Sequence, residues 1–123
     1  MLAAPAWAQA DWPGGRPITW VVPYPAGGST DVLGRNIAQR LGPALSTSVI
    51  VDNKAGATGT IGATQVARAP ADGHTFLVAS LGPFVIAPHL IKTNYDAIKD
   101  LEPITVVVQA PNVLVVPAVS THR

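Results

Sequence analysis

Residues 18–41 read ITWVVPYPAGGSTDVLGRNIAQRL, and two periodicities meet inside them. Ile18–Val22 is a short β-branched and aromatic run between Pro17 and Pro23, the pattern of a strand buried on both faces. From Ser29 onward the pattern is helical: Leu33, Ile37 and Leu41 share one face, while Arg35, Asn36, Gln39 and Arg40 lie on the other. Ser29 or Thr30 is a natural N-cap, Asp31 falls in the first turn, and Gly42-Pro43 is a stop signal. Between strand and helix lies a loop with adjacent glycines, at a strand's carboxyl end.

The same grammar repeats downstream. Val49–Asp52 reads as a second strand, and residues 53–62, NKAGATGTIG, form a glycine-rich loop. That loop runs into an alanine-rich helix ending before Pro70. Ala71-Asp72-Gly73 is a turn, and Thr75–Ser80 is a third strand followed by Leu81-Gly82-Pro83. This β-α-β-α-β order with short connections predicts the α/β class, a parallel sheet with right-handed crossovers and covering helices. Ligands in such sheets bind beyond the carboxyl ends of the strands. The loops Pro23–Thr30, Asn53–Thr60 and Leu81–Pro83 are therefore expected to meet on one edge. Pro88 and Pro103 limit the next stretch to short helical pieces, and Ile104–Val108 and Val113–Val116 are further strand candidates.

Bulk composition narrows the function classes. The 123 residues suit one modest domain or a piece of something larger, and 48% apolar with 12% charged residues is enough to build a core. A net charge of +1 with no basic run argues against nucleic acid as a partner. The absence of cysteine removes disulfides, thiol catalysis and thiolate metal sites. Residues 1–10, MLAAPAWAQA, are apolar and end in Ala8-Gln9-Ala10, the small-x-small pattern of a signal-peptidase site. They are expected to be the remnant of a secretory signal, with an exported mature chain beginning near Asp11; an ordinary N-terminal arm is the alternative. No segment approaches about 18 uninterrupted apolar residues, so no membrane insertion is expected.

Three chemistries compete for the glycine-rich loops. Helix N-termini offer unpaired N–H groups and a partial positive charge, so the loop with Gly27 and Gly28 and the loop with Gly56, Gly59 and Gly62 suit a carboxylate or phosphate. The plain alternative is that these glycines serve tight turns and helix–sheet packing. A nucleotide site lacks its spacing: no glycine precedes Lys-Ser/Thr, and Gly56, Gly59 and Gly62 are spaced G-x-x-G-x-x-G rather than G-x-G-x-x-G. Ser29 and Ser80 lie at strand ends but outside any G-x-S-x-G elbow. His74, His89 and His122 have no ligand spacing, so neither a metal nor any other cofactor is expected. Asp96, Asp100 and Glu102 beside Lys92 and Lys99 read as solvated surface.

Taken in order, RPITWVVPYPAGGSTDVLGRNIAQRLG, VIVDNKAGATGTIGATQVARAPADGHTFLVAS, APHLIKTNYDAIKDLEPIT and PNVLVVP resemble the substrate-binding proteins of tripartite tricarboxylate transporters, the Bug or TctC-type periplasmic receptors. The third stretch is similar to that family's Asn-Pro-x-Leu and Tyr-Asp-x-x-x-Asp-Phe-x-Pro segments. The resemblance implies a type II periplasmic-binding-protein fold, two α/β lobes closing on a small carboxylate without catalysis, and delivery to membrane transporter subunits. It places the ligand against Tyr24, Pro25, Ala26, Gly27, Gly28, Ser29, Thr30 and Asp31 of the first loop and Gly56, Ala57, Thr58 and Gly59 of the second. Ser80 and Leu81 are additional contacts. Asp31 is expected to order the loop rather than touch an anion, because like charges repel. The family often carries Arg-Pro-Gly-Ala-Gly-Gly in the second loop, where this chain has Lys54-Ala55-Gly56-Ala57-Thr58-Gly59, and often tyrosine where His74 stands.

Members are well over twice this length. The resemblance therefore implies a fragment: residues 11–108 as most of a first lobe and 109–123 as the crossing into a second. The rival readings are a Rossmann-like nucleotide- or phosphate-using enzyme domain and a truncated fragment without function.

Overall fold

A computed structural model of the protein describes residues 12–111 and 113–117. The expected signal remnant, residues 1–10, lies outside them. Three parallel strands form the sheet in the order β2-β1-β3: β1 at Ile18–Val22, β2 at Val49–Asn53 and β3 at Thr75–Leu77. Trp20 is in register with Val51 on one side and Phe76 on the other. Helix α1, Ser29–Ala44, connects β1 to β2, and α2, Thr60–Ala67, connects β2 to β3.

The two helices cover opposite faces. Ile18, Trp20 and Ala38 form a buried cluster with Ile37, Leu41, Val49, Val51, Phe76 and Val78, which places α1 over the even-numbered side of β1. A Cβ on Gly62 of α2 would stand 3.2 Å from Val21 Cγ1, on the odd-numbered side. Successive strand residues point to opposite faces. Since the order steps one way from β1 to β2 and back past β1 to β3, right-handed crossovers require this arrangement.

Helix α1 departs from its expected boundaries at both ends. Its N-cap is Gly28, not Ser29 or Thr30, and no side chain bonds at the cap itself. Asp31 instead reaches back from the first turn to the Gly27 N–H, 2.8 Å away. Gly42-Pro43 does not stop the helix, because proline forfeits one backbone bond without closing the remaining carbonyls. Closure comes at Ser46, held at φ 51°: the Ser46 N–H donates to Pro43 O at 3.2 Å and the Thr47 N–H to Gly42 O at 3.1 Å, a Schellman motif. The deepest α1 residues facing the sheet side are Gly34, Ala38 and Gly42, with Leu33, Ile37 and Leu41 half-buried around them.

Strand β3 ends at Leu77 rather than Ser80; its last link to β1 is Val78 N–H to Val21 O at 3.0 Å. Beyond it Pro23 has no N–H to extend the ladder. A π-type turn at Gly82–Ile86 and α3, Ala87–Leu90, are the short helical pieces expected of the proline-punctuated stretch. Ile104–Val108 and Val113–Val116 do not form strands here; Ile104 is 72% and Leu114 99% exposed. β-prone residues favour an extended backbone, but a strand also needs a hydrogen-bonding neighbour, and none of the described residues pairs with these.

At the amino ends of the strands, residues preceding β1 clasp the turn before β3. Trp12 Nε1–H donates to Gly73 O at 3.1 Å, and Arg16 pairs with Asp72 at 3.0 Å. His74 is buried there, with Nδ1 3.0 Å from Asp72 O and Nε2 3.2 Å from Pro13 O, so it is a packing residue.

Candidate functional site

At the opposite edge the three loops after the strands converge on Gly82. A Cβ on that glycine would stand 3.0 Å from the Thr58 carbonyl oxygen and 3.1 Å from the Tyr24 hydroxyl. Glycine is thus the one residue that lets the three loops touch without displacement. Tyr24 and Ser80 join the first loop to the third through a 2.7 Å hydrogen bond between their hydroxyls. One of their two protons makes that bond and the other is left to donate outward. Below them, the buried Tyr95 hydroxyl donates to Pro83 O and fixes the third loop. Burial, and secondarily Tyr24 nearby, pushes the Tyr95 phenol up.

The second loop has unusual backbone geometry. Ala57, Thr58 and Gly59 are all left-handed, with φ 46°, 57° and 89°, and the Gly59 N–H donates to Gly56 O at 2.9 Å. Left-handed backbone in a β-branched residue is a true outlier, and such strain clusters at ligand-holding sites. Gly59 itself sits against Pro23 and Pro83, each within 3.4 Å of a Cβ built there, which welds this loop to the other two.

Asp31 is the hub of the first loop. Its carboxylate is 3% exposed and accepts from the Gly27 N–H, from Asn53 Nδ2 at 2.9 Å and from Arg35 Nε at 3.0 and 3.1 Å. The Arg35 guanidinium first, then the Gly27 N–H and the Asn53 amide, hold its pKa down from 3.8 to about 2. Arg35 Nη2 also donates to Asn53 Oδ1 at 2.8 Å, and Asn53 Nδ2 to Tyr24 O at 3.1 Å. Sequence reasoning missed Arg35 and Asn53. The i,i+4 spacing of Asp31 and Arg35 was the one available signal.

Of the expected residues, Tyr24, Thr58, Gly59 and Ser80 are brought to this meeting point. Pro25, Ala26, Gly27, Gly28, Ser29, Gly56, Ala57 and Leu81 are exposed along the rim, and Thr30 is half-buried. Asp31 is turned inward. Among the described residues no three His, Cys, Asp or Glu side chains cluster as metal ligands, and no helix is long and apolar enough to cross a membrane.

A parallel sheet with strand order 2-1-3 and its post-strand loops gathered at one edge belongs to the α/β class in which ligands sit beyond the carboxyl ends of the strands, where the strand order reverses. The family profile described as tripartite tricarboxylate transporter family receptor matches residues 33–123. The chain belongs to this family, whose members are binding proteins rather than enzymes.

A UPF0065 protein from Bordetella bronchiseptica is 47% identical over 97% of this chain and 36% of its own length. BugT from Bordetella pertussis is 41% identical over 93% of this chain and 35% of its own. The chain thus spans about a third of the length of the curated relatives it matches.

Solved structures agree. A periplasmic transporter superposes with a TM-score of 0.64 at 39% identity, over 68% of this chain and 28% of its own. MatC from Rhodopseudomonas palustris with bound malate gives 0.64 at 39% identity, over 68% and 29%. A second R. palustris protein, with adipate, gives 0.53 at 49% identity, over 55% and 22%.

Proposed function

We propose that this chain is part of an extracytoplasmic, periplasmic solute-binding protein that captures a small carboxylate for the membrane subunits of a tripartite tricarboxylate-type transporter. The observation that carries this reading is the meeting of three post-strand loops at Gly82, beside the hydrogen-bonded Tyr24 and Ser80 hydroxyls. The N-terminus of α1, which opens at Gly28 without a side-chain cap, leaves backbone N–H groups to an anion; that of α2 adds less, because the Thr60 N–H is already given to Ala57 O. The Tyr24–Ser80 pair adds a hydroxyl proton.

In this reading Tyr24–Thr30, Gly56–Gly59, Ser80 and Leu81 form one side of the site, and Asp31 acts by ordering the first loop. Residues 11–108 belong to a first lobe and 109–123 lead toward a second, which closes over the ligand. Malate and adipate, held by two relatives, are both dicarboxylates and set the probe class.

Thermal-shift and calorimetric titration of the full-length protein with malate, adipate and nucleotides tests the reading. A dicarboxylate that raises the unfolding midpoint and releases or absorbs binding heat is the expected result. Stabilisation by nucleotides with no response to any carboxylate would overturn it.

A further inference from the structure

We infer that Arg35 and Asn53 are positioning residues that lock the first and second loops into a single rigid unit. Asn53 is the last residue of β2, paired with Val22, and the second loop begins immediately after it. Its side-chain amide is fully committed. One side donates to Tyr24 O at 3.1 Å and to Asp31 Oδ1 at 2.9 Å, and the oxygen accepts from Arg35 Nη2 at 2.8 Å. That pattern admits one amide orientation only, since reversing it would set an oxygen against a carbonyl and a carboxylate.

Arg35 closes the ring. Its Nε spans both Asp31 oxygens while Nη2 holds Asn53, a planar fork that lysine cannot reproduce. The ring therefore ties the Tyr24 carbonyl, the Gly27 N–H and the end of β2 together, across 29 residues of chain. It also neutralises the Asp31 charge beside the anion edge. Preorganised loops bind more tightly because less freedom is lost on closing around a ligand.

The affinity consequence rests on the carboxylate reading above; the coupling of the loops does not. Arg35→Lys keeps the charge and should fold, because the Arg35 side chain is half-exposed. Asn53→Asp is isosteric but puts oxygen where two donors are needed. In the full-length protein both should weaken malate and adipate binding by about tenfold, and by the same factor for each ligand. Arg16→Gln, which breaks the ion pair at the opposite edge, should lower the unfolding midpoint without changing affinity.

Amide hydrogen exchange supplies the ligand-independent arm. Arg35→Lys should speed exchange at Gly27 and also at Gly59, which Arg35 does not touch, while leaving the Ile18 amide protected. Faster exchange at Gly27 with Gly59 unchanged would overturn the coupling. Wild-type affinity in both variants would overturn the positioning role. If the wild type binds neither carboxylate, the functional reading falls while the exchange result still decides the coupling.

Discussion

Replacing Thr58 with glycine should stabilise this protein, against the usual cost of placing glycine in ordered backbone. Thr58 sits at φ 57°, ψ 28°, between two other left-handed residues. An L-residue in that region costs roughly 1–2 kcal/mol, because Cβ crowds the following carbonyl, and β-branching makes the crowding worse. Glycine removes that cost but adds about 0.4–1 kcal/mol of unfolded-state entropy. The residue is exposed, so little packing is lost. The balance favours Thr58→Gly by about 0.5–1 kcal/mol. The resemblance points the same way, since glycine commonly occupies this position. Differential scanning calorimetry of wild type, Thr58→Ala and Thr58→Gly provides the measurement. The alanine variant relieves only the branching, so the order of midpoints should be Thr, Ala, Gly, with the last higher by a few degrees. A glycine variant less stable than wild type would show that the loop's left-handed geometry is not strained and would remove the strain argument.

Other consequences concern packing, the third loop and acid. Gly62→Ala should destabilise by about 1–3 kcal/mol, because its Cβ would stand 2.8 Å from Pro23 Cβ and 3.1 Å from Pro23 Cα, backbone that cannot rotate away; denaturant titration reads this. Tyr95→Phe should cost about 1 kcal/mol by leaving the buried Pro83 carbonyl without its donor, seen as a lower urea midpoint. Asp31 is depressed to about 2 from an ordinary 3.8, so its stabilisation is fully present above about pH 4 and is lost as pH falls toward 2. Asp72 and Asp96, also held low, first by the Arg16 side chain and by the Ile98 N–H respectively, add to the same acid limb. Removing the largest cause with Arg35→Gln should move the acid transition, followed by circular dichroism, to higher pH.

What was legible in the sequence is what adjacent residues determine. Pro17 and Pro23 bracket β1 so tightly that its limits, Ile18 and Val22, follow directly. The loops' shared edge follows from strand–helix alternation. Helix ends were less legible, because a cap can be supplied from the next turn, as Asp31 does for Gly27, or by Ser46 where no glycine marks the stop. The later apolar runs predict extended backbone but not the neighbour that would make it a strand.

The site's organisation was hidden for a related reason: which polar groups are already committed depends on partners distant in sequence. Asn53 lies 22 positions from Asp31 and 29 from Tyr24, so its three bonds leave no local pattern. From the sequence, Asp31 in the first turn of α1 is expected to order the loop rather than touch an anion, but nothing local names the partners through which it does so. In the structure its carboxylate is saturated by an amide, a guanidinium and a backbone N–H and is nearly inaccessible. The negative charge therefore faces inward, where it holds the loop in shape. The outward edge keeps the Tyr24–Ser80 hydroxyls and the start of α1 at Gly28, a polarity that suits the carboxylate proposed above.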